Sequence, residues 1–294
     1  MRIGVFSDTH WSMGRVYRDV ANSLPDYTFE YIDWATWNVE NLQGMYNRCD
    51  VVIVNLAAIE NVLPYAIISK TLFISHGSEE NRGKILPPSF VYGMTSESIR
   101  PLFPQESNVF LTPNGVDPSQ FDYIERNGSL NTIGWCGAPH IQSKQVSWGI
   151  DISSKTNIQL SIASKVSCEQ NVSKWSPLTY DQVREWYSTI DLLLVTSIPE
   201  AKYETGPLPA FEAIVSGIPV VGTAVGNFAQ IPGPKFTTID EAVEIVNDLK
   251  TNPEKMKALA KEQRDYVMAN LTYASFADKW RKAFQYVYSQ NEHT

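Results

Sequence analysis

Two glutamates, Glu204 and Glu212, stand eight positions apart in YETGPLPAFEAIVSGIPVVGT, Tyr203 to Thr223. Carboxylates accept hydrogen bonds from hydroxyls and repel phosphates. Between the two, Thr205-Gly206-Pro207 predicts a helix start, with a proline near the first turn and a glycine that allows close backbone approach. Glu212 then falls about two turns into that helix, on a face near the side of Glu204. The free N–H groups and partial positive charge of a helix N-terminus suit a diphosphate. Carboxylates flanking it suit hydroxyl-rich neighbours, a ribose on one side and a sugar on the other. An ordinary amphipathic helix with two solvated glutamates would carry the same residues. Spacing alone does not separate the two readings.

A second constellation opens the chain. The run RIGVF empties into S-D-T-H, setting Asp8 and His10 two residues apart, as in an Asp-x-His pair that clasps the first metal of a two-metal phosphoesterase. Such a centre needs six or more ligands from several strand ends. The chain has four histidines, His10, His76, His140 and His293; none follows Gly-Asn, and no Gly-Asp dipeptide occurs. One pair without the rest does not hold two metals, so the opening is read as a first strand ending in a polar loop.

The elements that must position these residues are legible as apolar runs. RIGVF, YTFEYI, DVVIVNL, KTLFIS, FVYGMT and NVFLTP form a first series of strands; NTIGWCG, NIQLSIAS, DLLLVTS and IPVVGT form a second. Helical stretches such as GRVYRDVANSL separate them, and from Asp240 onward the pattern is helical: DEAVEIVNDLK, a Pro253-led helix and YASFADKWRKAFQYVYSQ. Apolar strands alternating with helices predict parallel sheets covered on both faces, here two Rossmann-like domains. The break is expected between Pro113 and Pro118 in P-N-G-V-D-P. Ligands of open parallel sheets bind beyond the carboxyl ends of the strands. That rule directs attention to a cleft between two facing sheets, and to the loops at Asp8–His10, His76–Gly77, Asn114–Gly115, Gly137–Lys144 and Glu204.

Composition bounds the function classes. The 294 residues are 43% hydrophobic and 19% charged, enough for a sizeable core. The net charge of −8 argues against broad nucleic-acid binding. No apolar run reaches membrane-span length, the first residues lack a signal-peptide pattern, and Cys49, Cys136 and Cys168 are odd in number and scattered. Reduced thiols and a cytoplasmic location are expected.

The string E-T-G-P-L-P-A-F-E-A-I-V-S-G-I-P-V-V-G-T resembles the E-x7-E signature of family 4 retaining glycosyltransferases of the GT-B fold. L-T-P-N-G-V-D, with Phe121 after it, is similar to the family's element at the domain junction. His76-Gly77-Ser78 after KTLFIS resembles its histidine loop, and M-T-S-E-S after FVYG its serine-containing strand end. The resemblance spans most of the chain. It implies a GT-B α/β fold of two Rossmann-like parallel-sheet domains facing across a cleft, the C-terminal helix crossing back to the N-terminal domain. An acceptor domain of 1–118 plus 275–294 and a donor domain of 119–274 follow. The sequence departs from the family after the first strand of the second domain. There Lys144 is present, but Trp135 or Ala138 stands where an arginine is usual, leaving Lys165 or His140 as further cations. The later Gly-Gly-x-x-Glu has become Gly226-Asn227-Phe228-Ala229-Gln230.

By this resemblance Glu212 accepts from the ribose hydroxyls, Glu204 faces the transferred sugar and its phosphate, and Lys144 neutralises the leaving diphosphate. Gly206, Pro207, Leu208, Gly137 and Ser164 join the donor site, with base selection near Ser164 or Ser173 to Trp175. His76 orients the sugar or binds the leaving phosphate, or is a structural strand-end histidine. Asn114-Gly115 is read as turn chemistry. Asp8, His10 and Trp11 are placed on the acceptor side; Trp11, Trp34 and Trp37 either stack on sugars or pack in the core. The implied reaction moves a glycosyl group from a UDP- or GDP-linked sugar to a glycan or other hydroxyl acceptor with retention. No Asp-x-Asp pair occurs, so metal independence is expected, and the nucleotide sugar is a substrate rather than a cofactor. The rivals are a non-catalytic nucleotide-sugar binding protein and a GT-B sugar-nucleotide epimerase or phosphorylase.

Overall fold

A computed structural model of the chain describes residues 1–9, 12–77, 84–164, 174–198 and 204–291. It divides into two units, Met1–Gly115 with Tyr273–Thr294, and Val116–Thr272.

In the first unit β1 (Arg2–Ser7), β2 (Thr28–Asp33), β3 (Val51–Asn55), β4 (Thr71–Ser75), β5 (Val91–Met94) and β6 (Asn108–Leu111) form one sheet in the order β2-β1-β3-β4-β5-β6. All five pairings are parallel. Every residue of β3, VVIVN, is buried, as an inner strand covered on both faces requires. Helices α1 (Ser12–Ser23) and α2 (Val39–Arg48) and the single turn α3 (Ile59–Val62) connect the strands.

The second unit contains β7 (Thr132–Cys136), β8 (Gln159–Ser164), β9 (Lys174–Pro177), β10 (Leu192–Val195) and β11 (Val220–Gly222), in the order β11-β10-β7-β8-β9. Helices α4 (Val146–Thr156), α5 (Tyr180–Tyr187), α6 (Leu208–Val215), α7 (Ile239–Thr251) and α8 (Pro253–Asn270) accompany them. The chain winds from β7 outward through β8 to β9, then returns to place β10 on the opposite side of β7. The loops after β7 and β10 therefore leave the sheet at its topological switch point, where ligands of such sheets bind.

The β11 edge is closed by a side chain. Gln263 of α8, fully buried, accepts from Val220 N at 2.8 Å and donates to Val220 O at 2.7 Å, in place of a neighbouring strand. The last helix, α9 (Tyr273–Asn291), belongs to the first unit. Its buried stripe of Tyr273, Phe276, Ala277, Trp280, Ala283, Phe284 and Val287 follows the helical period. Phe284 meets Tyr27 and Phe29 at ring-centroid distances of 6.1 and 6.3 Å, and Tyr286 meets Phe110 at 5.0 Å.

All ten strands expected from apolar runs are present. The eleventh, β9, has the sequence Lys-Trp-Ser-Pro and no apolar run to reveal it. It lies at the sheet edge, the position that tolerates a proline. The expected turn at Asn114-Gly115 does not form. Neither residue has positive φ, Asn114 is 4% exposed, and Val116 N donates to Leu271 O at 3.1 Å. A buried main chain with a main-chain partner downstream has no need of turn chemistry.

Candidate functional site

The switch point of the second unit holds a charged pair. After β7 the chain makes a short 3-10 turn, Gln142–Lys144, and enters α4 through Gln145, whose φ of 46° lies in the left-handed region that non-glycine residues rarely occupy. After β10 it runs through Thr196, Ser197 and Ile198, and Glu204 follows residues 199–203, which lie outside the described residues. Lys144 Nζ is ion-paired with Glu204 Oε2, with side chains 29% and 13% exposed. Ser197 Oγ also donates to Glu204 Oε2, at 3.4 Å.

Main-chain and hydroxyl bonds knit the surrounding loops. Ile198 N donates to Ser143 O at 2.8 Å, and Asn227 N to Thr205 O at 2.9 Å. Thr223 Oγ1 donates to Ser197 O at 2.5 Å. Gly226, at φ 44°, passes so close below Glu204–Thr205 that a Cβ there would lie 2.3 Å from Thr205 O. Trp135, Lys144, Thr196, Ser197, Glu204 and Pro207 line a small pocket at this point. With the ion pair formed, the space left is ≈ 20 Å³, room for about one water molecule. Lys144 is the one cation among the described residues that line it.

Helix α6 starts at Leu208, later than the Thr205-Gly206-Pro207 start expected, with Pro207 as its cap residue and no side-chain cap. Pro209 has no N–H, and Ala210 N is bonded to Pro207 O at 2.8 Å. The helix tip therefore offers fewer donors than a helix start usually does. At its other end, Gly217 takes φ 89°, while Gly217 N donates to Ile214 O at 3.0 Å and Ile218 N to Ala213 O at 2.9 Å, the paired bonds of a Schellman stop.

Neither glutamate is a solvated residue on an amphipathic helix. Ala210 to Val215 are all buried, so α6 is enclosed on every side, and Glu212 within it is 2% exposed. A buried carboxylate needs a partner. Glu212 Oε2 accepts from Tyr187 Oη of α5 at 2.7 Å. Tyr187 is itself 1% exposed and packs edge-on against Phe121 at 6.2 Å.

Other donor-site expectations fare variously. Gly137 N is already bonded to Ala163 O at 3.1 Å, so its N–H serves the sheet, and a Cβ there would meet the Trp135 ring at 3.0 Å. Ser164 is buried at the end of β8, next to β7, and its carbonyl accepts from Leu178 N at 2.7 Å. Gly206 and Pro207 are buried, and Leu208 is half-buried. His140 is exposed. Lys165 and Ser173 lie outside the described residues.

In the first unit, His76 sits just beyond β4, 7% exposed. Tyr17 Oη lies 2.9 Å from its Nε2, a hydrogen bond whose donor follows the imidazole tautomer. The Tyr17 ring meets it edge-on at 5.7 Å, and Trp280 of α9 stands edge-on to Tyr17 at 6.4 Å while donating from Nε1 to Pro113 O at 3.3 Å. Burial pushes the His76 pKa from 6.5 to about 4, offset in part by the Asn114 side chain, so the ring is neutral at neutral pH. Asp8 is 4% exposed, and its Oδ1 accepts from Gly14 N at 3.4 Å in α1. Gly14 is required there, since a Cβ would lie 2.4 Å from Asp8 O. His10 and Trp11 lie outside the described residues. Trp34 and Trp37 pack against the core, Trp37 edge-on to Phe6 at 5.5 Å, so the packing alternative holds for them.

Sequence reasoning missed Tyr17, Tyr187 and Thr196. Each acts on a residue 25 or more positions away, and no local pattern links such partners.

Comparison with known proteins adds the family context. Residues 150–282 match a family model described as glycosyl transferase-like. The matched stretch includes Glu204 and Glu212 and ends within α9. Among solved structures, the Anabaena protein HepE in complex with UDP and glucose superposes with a TM-score of 0.76 at 14% identity, covering 97% of this chain and 99% of HepE. AviGT4, a glycosyltransferase involved in avilamycin A biosynthesis, gives 0.70 at 12% identity, covering 98% of each chain. An alpha-glucosyltransferase in complex with UDP and a DNA containing an HMU base gives 0.67 at 10% identity, covering 98% of this chain and 99% of that one. These likenesses show the fold, α/β with Rossmann-like parallel sheets as in GT-B glycosyltransferases. The last of them also shows that this fold can accompany a nucleic-acid partner, so the fold by itself does not support the expected absence of one. Curated proteins gave no match.

Proposed function

We propose that this chain is a retaining, metal-independent glycosyltransferase of the E-x7-E type, moving a sugar from a UDP- or GDP-linked donor to a hydroxyl acceptor. The observation that carries the reading is the Lys144–Glu204 pair at the switch point of the second sheet. In an empty site a carboxylate neutralises the lysine. A donor diphosphate replaces that carboxylate as the lysine's counter-charge and leaves Glu204 beside the sugar. Charge that builds on the leaving phosphate as the glycosidic bond breaks then meets a preformed ammonium. Glu212, its direction fixed by Tyr187, serves the ribose hydroxyls, and the start of α6 at Gly206, Pro207 and Leu208 lies along the diphosphate, with Gly137 and Ser164 beside the nucleotide.

In this proposal 119–274 is the donor domain and 1–118 with 275–294 the acceptor domain, where neutral His76 donates to or accepts from a sugar hydroxyl without adding charge. Asp8, His10 and Trp11 are assigned to the acceptor. UDP in the HepE and alpha-glucosyltransferase complexes favours a uridine donor. A net charge of −8 favours a glycan or small hydroxyl acceptor over nucleic acid. A cytoplasmic location is part of the proposal, in keeping with three scattered cysteines, an odd number. Among the described residues no helix is long and apolar enough to cross a membrane.

A binding protein without turnover is the second reading, favoured by Lys144 being the one cation among the described residues that line the pocket. Incubation with a panel of UDP- and GDP-sugars and hydroxyl acceptors separates the two. Release of nucleoside diphosphate, unchanged by chelator and giving a product of retained anomeric configuration, is expected. Binding without release from any donor would instead support the second reading.

A further inference from the structure

The loop that carries Lys144 is held by a buried relay from the opposite loop. Trp135 Nε1, inside the central strand β7, donates to Thr196 Oγ1 at 2.9 Å. That hydroxyl lies 2.8 Å from Lys144 O and 3.0 Å from Gln145 O and donates its one proton to this pair of carbonyls. Thr196 is 1% exposed and Trp135 2% exposed, so neither hydrogen bond competes with water. The carbonyls belong to the residue that presents the ammonium and to Gln145, the residue in the left-handed region that turns the chain into α4. A non-glycine residue in that region is strained and persists only where its surroundings hold it. The clamp therefore sits at the joint that fixes where the lysine side chain leaves the backbone.

We propose that Thr196, oriented by the Trp135 indole, is a positioning residue for the Lys144 ammonium and through it sets affinity for the diphosphate of the donor. The inference rests on the reading of Lys144 as the diphosphate-binding cation. It also accounts for a tryptophan in this strand, whose N–H primes the hydroxyl. The threonine's place in the sequence, directly after DLLLV, gives it the reach: β10 is hydrogen-bonded to β7, with Leu194 opposite Trp135, so the first residue beyond β10 faces the loop that follows β7.

The test is a double-mutant cycle read by binding. The tighter of UDP and GDP is titrated by calorimetry against the full-length chain, with the matching nucleoside as the control that lacks phosphates. Thr196→Val is expected to weaken diphosphate binding roughly tenfold, the size of one lost hydrogen-bonded constraint, with nucleoside affinity unchanged. Thr196→Ser, which keeps the hydroxyl, is expected to bind as the parent does. In a Lys144→Ala background Thr196→Val should cause no further loss, because its effect passes through the lysine. Equal loss for nucleoside and nucleotide, or an undiminished loss in the Lys144→Ala background, would overturn the proposal. Should Lys144→Ala weaken the nucleotide while Thr196→Val does not, the positioning role alone fails. Should Lys144→Ala leave it unchanged, the lysine assignment fails first and the role of Thr196 with it. If Thr196→Val does not fold, Thr196→Ala replaces it; if neither folds while Thr196→Ser does, the threonine serves the fold and the proposal is overturned.

Discussion

In both units notable polar side chains stand in the loops beyond parallel strands, yet the two surroundings are opposite. Beyond β7 and β10 in the second unit, Lys144 and Glu204 form a partly buried ion pair. Beyond β4 in the first, His76 is buried against Tyr17, with its pKa pushed down to about 4, and carries no charge at neutral pH. The same architecture thus presents an ion pair partly open to water at one place and a buried neutral hydrogen-bonding group at the other. Strand ends supply location; the neighbouring side chains decide whether charge survives there.

The largest expected effect falls on the charged end. Lys144→Ala is expected to cut transfer from a nucleotide sugar by about 100-fold or more, as loss of one electrostatic contact to a developing negative charge does. Stability should change little, by about 1 kcal/mol, because a pair that water still reaches contributes little. Initial rates of diphosphate release and urea midpoints measure the two, and a variant whose urea midpoint falls while its rate is kept would reverse the contrast.

The neutral end should show itself in pH dependence. Folded His76 resists protonation down to about pH 4, whereas the unfolded imidazole takes up a proton below 6.5. The unfolded state binds more protons in between, so this contribution is complete above about pH 6.5 and is lost as pH falls toward 4, by about 3 kcal/mol at most. His76→Gln should flatten that part of the urea-midpoint profile, and an unchanged slope would show that the ring titrates normally. Next in size, Tyr17→Phe removes the phenol from His76 and should cost about 1–2 kcal/mol of stability, against less than that for Lys144→Ala in the same assay. The smallest effect sharpens the charged side: Glu204→Gln should slow transfer yet tighten nucleoside diphosphate binding by roughly threefold, since a neutral amide releases the lysine from a weak partly exposed pair.

The fold was open to sequence reading wherever a run of apolar residues had to fill a two-sided sheet, as in VVIVN and LLLV. It was closed where an edge strand, Lys-Trp-Ser-Pro, had no such duty. Glu204 and Lys144 could be singled out because loop position and charge are local properties, whereas their pairing could not. Glu212 was singled out by its spacing, but its burial was not legible, because the enclosure of a helix depends on neighbours that the local sequence does not name. Tyr187, Tyr17 and Thr196 carried no signal, since their partners are brought to them by the fold. The helix tip was overestimated as a donor because Pro209 and the Ala210–Pro207 bond remove N–H groups that a generic helix start would offer.

The most direct test is a crystal structure of the chain soaked with UDP and GDP. The account predicts the diphosphate against Lys144 Nζ, with Glu204 released from the lysine and turned toward the sugar side of the site. A nucleotide bound elsewhere, or bound with the Lys144–Glu204 pair intact, would contradict it.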